Sequence, residues 1–162
     1  MLLKTLSRIP GAASPIITRV DERVREQVIE ASKLISLNIR ELDLLTAISD
    51  IEEASGTLRD DGVETVVLKL GGEGCAVSSA SGFERIPGYD VRAVDTTGAG
   101  DAFNAALAYG YLAGWPQKKA ARFANIVGAV KVTKMGAGVN VPTKAEIDRF
   151  MMEHEEETDF SL

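Results

Sequence analysis

Residues 94–103 divide this chain into two kinds of sequence: most strand-like sequence lies before them, and everything after them reads as helix. Gly98, Ala99 and Gly100 are too small to cover their own backbone, and an Ala-rich segment begins directly behind them. A helix start of that kind attracts anions, because its unpaired N–H groups and the positive end of its dipole point outward together. Asp101 then has two readings. A carboxylate in a first helical turn ordinarily complements the dipole. Beside a phosphate-sized nest it can also accept a proton while the N–H groups hold the charge that develops.

Upstream, residues 1–20 carry Pro10, Gly11 and Pro15 without a sustained period and read as a loop-rich lead-in. Asp21 caps an expected helix to about residue 33, with Val24, Val28 and Ile29 on one face. Residues 34–37 form a short apolar run suited to a buried parallel strand, followed by Asn38 and, three residues on, Glu41. That pair can be a capping box on a helix over 39–47. An amide oxygen and a carboxylate at a strand end can also hold a hydrated magnesium ion, since both are hard ligands that leave most of the shell to water and phosphate.

A helix over 51–58 and a turn at Asp61 and Gly62 lead into 65–70, the best candidate for a central strand. Gly71, Gly72 and Gly74 follow at once, either as a hairpin to a strand over 75–78 or as backbone left open to a ligand. Residues 83–87 alternate like another strand. Helices are expected over 102–113 and 120–131, with Gly114 a stop and Pro116 a start between them, and Asn125 interrupting the second. A turn at 133–138 precedes a last amphipathic helix begun by Pro142 and Thr143. The tail, 153–162, is an acidic run expected to be solvated, and His154 within it has no apolar pocket or partner to make it a base.

The length, 162 residues, fits one domain, and 45% hydrophobic with 26% charged residues is an ordinary globular balance. A net charge of −6 argues against a surface that neutralises nucleic-acid phosphates, though not against a nucleotide held by a few local amides. The single cysteine, Cys75, excludes an internal disulfide and a thiolate metal cluster and fits a cytoplasmic protein. No apolar run is long enough for a signal peptide or membrane span.

The nine residues 95–103 resemble the C-terminal signature of the ribokinase-like (PfkB) carbohydrate kinases, in the expected strand, turn and helix context. The resemblance implies an α/β fold, a three-layer αβα sandwich on a mostly parallel sheet, spanning 21–152 as the nucleotide-binding half of such a kinase. It implies ATP and Mg²⁺ as cofactors, with Asp101 as base for a sugar or sugar-acid hydroxyl. The backbone of Gly98, Ala99 and Gly100 is then the anion hole. Asn38 and Glu41 match the family's magnesium motif, and Lys69, Gly71 and Gly74 match a stretch beside the nucleotide. Asn125 falls where the family sets a polar residue against the nucleoside. Asp95, Thr97, Gly136 and Asn140 match positions that in many members hold a monovalent cation, K⁺.

The lid, the glycine pair and the Asp with which the family grips its sugar have no counterpart before Asp21. The sequence therefore reads as a truncated or divergent kinase, with the base and the nucleotide side but little of the acceptor pocket, and impaired turnover is expected. Strands without their neighbours imply a homo-oligomer or a partner fragment. A non-catalytic nucleotide- or phosphate-binding assembly module is the alternative. A dinucleotide oxidoreductase is disfavoured, because the third glycine and the later acidic residue are missing, and no Walker-type Gly-Lys-Ser or Gly-Lys-Thr occurs.

Overall fold

The apolar run at 34–37 does become a strand, and it is buried because a second, nearly continuous β-branched run lies beside it. In the computed structural model, which describes residues 22–136, 138–155 and 160, the chain divides into two compact units. The first holds the described residues up to Gly71 together with Cys75–Ile86. The lead-in at 1–20 and the cap expected at Asp21 lie outside the described residues.

In the first unit, α1 (Glu22–Ala31) leads to β1 (Leu34–Asn38), α2 (Ile39–Thr46), α3 (Ile51–Asp60) and β2 (Thr65–Lys69). The two intervening helices supply the long crossover that a parallel pair requires, and β1 and β2 pair in parallel with Leu34 opposite Thr65 and Asn38 opposite Lys69. β3 (Gly74–Ser79) turns back antiparallel on β2, with Lys69 opposite Cys75, as the glycines at 71–74 led one to expect. β4 (Gly82–Pro87) completes a four-stranded sheet in the order β1, β2, β3, β4, joined to β3 by only two residues. The described sheet is thus mixed, parallel at β1–β2 and antiparallel at the hairpin.

Both faces of the central strands are buried. Ile35, Leu37, Val66, Leu68 and Ala76 pack with Ile29 of α1, Leu42 and Leu45 of α2, and Ala54 and Leu58 of α3. Val67 and Val77, on the opposite face, are buried too. Two helices of this layer are anchored at their starts: Asp50 accepts from the N–H groups of Glu52 and Glu53, and Asn38 caps α2.

In the second unit, α4 (Ala99–Leu112) packs on α5 (Gln117–Val132), and α6 (Lys144–Glu153) follows. α4 starts three residues earlier than the sequence suggests, because Gly98 takes the left-handed conformation (φ 77°) and turns the chain straight into it. Gly110 is a tight contact between the two helices: a Cβ there would lie 2.7 Å from Ala120 Cβ and 2.9 Å from the Trp115 ring. Thr143 caps α6 with Glu146 reaching back. His154 stacks on Phe150 at 3.9 Å, with Tyr89 edge-on to both. The tail contributes more than solvated charge, since Phe160 is buried against Trp115 and Phe123. Residues 156–159 lie outside the described residues.

Candidate functional site

The start of α4 has no side-chain cap. Ala99 turns its N–H back onto the Thr96 carbonyl at 3.1 Å, and Ala102 donates to Gly98 O at 3.0 Å. The N–H groups of Gly98, Gly100 and Asp101 have no partner among the described residues, so the donor set differs by one member from the one expected: Ala99 is spent locally and Asp101 contributes its amide. A Cβ on Gly100 would meet nothing within 4 Å, which leaves the approach to this helix start open. The Asp101 side chain is exposed in the same turn. Uncovered amides, a helix dipole and an adjacent carboxylate can bind an anion and take a proton from a group presented to it.

The residues leading into this turn are held by the loop after α5. Asp95 accepts from the Thr97 N–H at 2.9 Å through Oδ1 and from the Gly136 N–H at 2.7 Å through Oδ2. Its carboxyl pKa falls from 3.8 to about 2, mainly through the Thr97 N–H and hydroxyl, then the Gly136 N–H; burial opposes them, and the charge of Lys131 adds the smallest contribution. Lys131 is 1% exposed, and its ammonium donates to the Gly136 carbonyl at 2.7 Å. Asn140 donates from Nδ2 to the Met135 carbonyl, also at 2.7 Å. The four residues matched to a monovalent-cation site are therefore brought together, with Lys131 among them. Within this group Asp95 accepts from two amides, and the Gly136 carbonyl faces the Lys131 ammonium.

In the first unit, Asn38 and Lys69 are register partners at the carboxyl ends of the two parallel strands, the usual ligand end of such a sheet. Asn38 and Glu41 form a complete capping box: the Glu41 N–H donates to Asn38 Oδ1 at 2.9 Å and the Asn38 N–H to Glu41 Oε2 at 2.8 Å. The box leaves Glu41 Oε1 outside it, and a half-buried carboxylate with one spare oxygen suits a hydrated Mg²⁺. Among the described residues no group of three or more His, Cys, Asp or Glu side chains is placed to hold a metal. Gly71 (φ 65°) and Gly74 (φ 97°) both need the left-handed freedom of glycine. Asn125, in the second unit, is buried and donates from Nδ2 to the Pro87 carbonyl at 3.1 Å, which ties α5 to the segment that opens that unit.

Two residues escaped the sequence reading. Gly88 donates its N–H to Glu73 O at 3.0 Å, and a Cβ there would strike the Gly72 carbonyl oxygen and the Gly74 nitrogen. The signal was its place after Pro87, which reads equally well as a plain turn. A lysine in the last turn of a helix is ordinarily a solvated charge that complements the dipole, and Lys131 stands in that place. Only its position inside an apolar run, between Val130 and Val132, hinted at burial.

Solved structures fix the class of this arrangement: it is a ribokinase-like α/β fold. The structure of aminoimidazole riboside kinase from Salmonella enterica, complexed with aminoimidazole riboside and an ATP analogue, superposes with a TM-score of 0.73 at 30% identity, over 80% of this chain and 45% of that one. A fructokinase double mutant from Vibrio cholerae O395, bound to fructose, ADP and potassium, gives 0.72 at 28% identity, over 79% and 43%. The chain belongs to the pfkB family of carbohydrate kinases, whose profile it matches over residues 11–144. Ribokinase from Haemophilus influenzae is 34% identical over 131 residues, 78% of this chain and 43% of that protein. The chain spans about half the length of the curated relatives it matches.

Proposed function

We propose that this chain carries the nucleotide side and the catalytic base of an ATP-dependent kinase acting on a hydroxyl of a sugar or sugar acid. The uncapped start of α4 beside Asp101 is the observation that carries the reading. The N–H groups of Gly98, Gly100 and Asp101 hold the negative charge of a phosphoryl group, and the Asp101 carboxylate receives the proton of the attacking hydroxyl. Asn38 and Glu41 hold Mg²⁺ through water, and the metal, when bound, neutralises charge on the phosphates. Lys69, Gly71 and Gly74 lie along the nucleotide, and Asn125 borders the nucleoside. A monovalent cation is the one expected partner that the donor geometry does not favour.

Taken by themselves, these 162 residues are expected to transfer phosphate weakly. Positioning of two reactants can lower a barrier by as much as about 7–11 kcal/mol. A general base supplies about 10²- to 10⁴-fold in rate, which does not replace that positioning. β1 stands at an edge of the described sheet, and a second copy or a partner segment paired along it would complete the assembly. The alternative, a nucleotide- or phosphate-binding module without chemistry, shares the same nest.

Labelled ATP offered with a panel of sugars and sugar acids separates the two. Transfer to one acceptor that disappears in Asp101→Ala while nucleotide binding persists supports the kinase. Saturable nucleotide binding with no Asp101-dependent transfer supports the module. Absence of nucleotide binding refutes the kinase, and absence of inorganic-phosphate binding as well refutes the module.

A further inference from the structure

Lys131 is the largest fully buried side chain among the described residues, and a buried ammonium needs compensation for its lost hydration. Its compensation is specific. Nζ donates to the Gly136 carbonyl at 2.7 Å, and the same Gly136 residue donates its N–H to Asp95 Oδ2 at 2.7 Å. One peptide residue is therefore clamped between a cation at its carbonyl and an anion at its amide. Asp95 also receives the Thr97 N–H, so the clamp reaches the two residues before Gly98.

A bare potassium ion in such a loop would need several oxygens free to replace its water. Here the carbonyls of Met135 and Gly136 already accept from Asn140 and Lys131, and both oxygens of Asp95 already accept from amides. From this geometry we propose that the Lys131 ammonium is a built-in cation, which fixes the Asp95, Thr97 and Gly136 loops and makes the protein independent of monovalent cations. An ion at millimolar affinity is lost at low salt. A lysine tethered by its own helix is not, and it holds the entry to α4 at any potassium concentration. The choice of these positions as a cation locus rests on the kinase reading, but the clamp itself requires no nucleotide.

The test needs no activity. Thermal unfolding of the 162-residue chain is followed at equal ionic strength in potassium, sodium and choline chloride, and thallium-205 NMR reports any monovalent-cation site. The wild type should unfold at one midpoint in all three salts, with no saturable thallium signal. Lys131→Ala should unfold at a lower midpoint in choline, and potassium should restore about 2–4 °C of it, the shift expected when a cation fills the vacated position. A wild-type midpoint that rises selectively in potassium, or saturable thallium binding by the wild type, would overturn the proposal even if the variant fails to fold. A folded Lys131→Ala indifferent to the cation would overturn it equally. No nucleotide is present in these measurements, so a failure of the kinase reading in the ATP assay would leave their outcome standing.

Discussion

Asp95 and Gly136, 41 residues apart in sequence, meet through a 2.7 Å hydrogen bond from the Gly136 N–H to Asp95 Oδ2. This contact ties the loop after α5 to the residues that enter α4, so the geometry of the anion nest depends on a segment remote from it. The backbone of Val94 and Asp95 makes the same connection, since both N–H groups donate to the Val132 carbonyl.

The first prediction concerns acid. The Asp95 carboxyl is depressed from 3.8 to about 2 in the folded protein, so its stabilising contribution is complete above the unfolded value and disappears as pH falls through the folded one. Glu146, lowered to about 2 by Lys134 and the Thr143 cap, adds to the same limb. Thermal midpoints of the wild type and Asp95→Asn, measured from pH 7 to pH 2, should differ by a constant amount above about pH 5. They should converge toward pH 2; a gap that persists there would mean the carboxylate is not the group responsible.

Gly98→Ala forces a side chain into a left-handed position (φ 77°), at a cost of about 1–2 kcal/mol. Urea unfolding should show that loss. Nucleotide affinity should fall with it, because the residue relieves its strain by turning the first amides of α4. Unchanged affinity in a destabilised variant would separate the nest from the ligand.

Gly110→Ala pits two effects against each other. Alanine in a helix interior gains about 1 kcal/mol over glycine, whereas overpacking a tight contact costs about 1–3 kcal/mol. The new Cβ would lie 3.0 Å from Ala120 Cα, which is backbone and cannot swing aside, so the clash should prevail. Chemical denaturation should give a net loss of up to about 2 kcal/mol.

Much of this was legible in the sequence. The run at 65–70 announced a central strand because β-branched residues bounded by turn signals leave few alternatives, and Lys69 indeed pairs with Cys75 across the glycines. Asp101 and the residues of the nest could be named because they are consecutive. What stayed hidden was tertiary. That Gly88 would pass against Gly72 and Gly74 and that Lys131 would turn inward depend on segments meeting that no local pattern joins, whereas the Ala99 N–H on Thr96 is a local turn bond that residue type alone does not select. Asn38 and Glu41 show the opposite case: the capping box was legible, and its presence does not decide whether the spare carboxylate oxygen also serves a metal.

Glu41→Gln makes that decision. A glutamine at this position preserves the capping box, so stability should change by no more than about 0.5 kcal/mol. If Glu41 serves magnesium, the variant should lose the enhancement that magnesium gives to nucleotide binding in a calorimetric titration. An unchanged enhancement assigns the residue to the cap alone.

The central claim is that the start of α4 holds a nucleotide phosphate. Titration of ADP, with and without magnesium, into the ¹⁵N-labelled chain tests it most directly. Saturable shifts of the Gly98, Gly100 and Asp101 amide resonances are expected, and they should persist in Asp101→Asn. Unmoved resonances at those three amides at saturating nucleotide would contradict the claim.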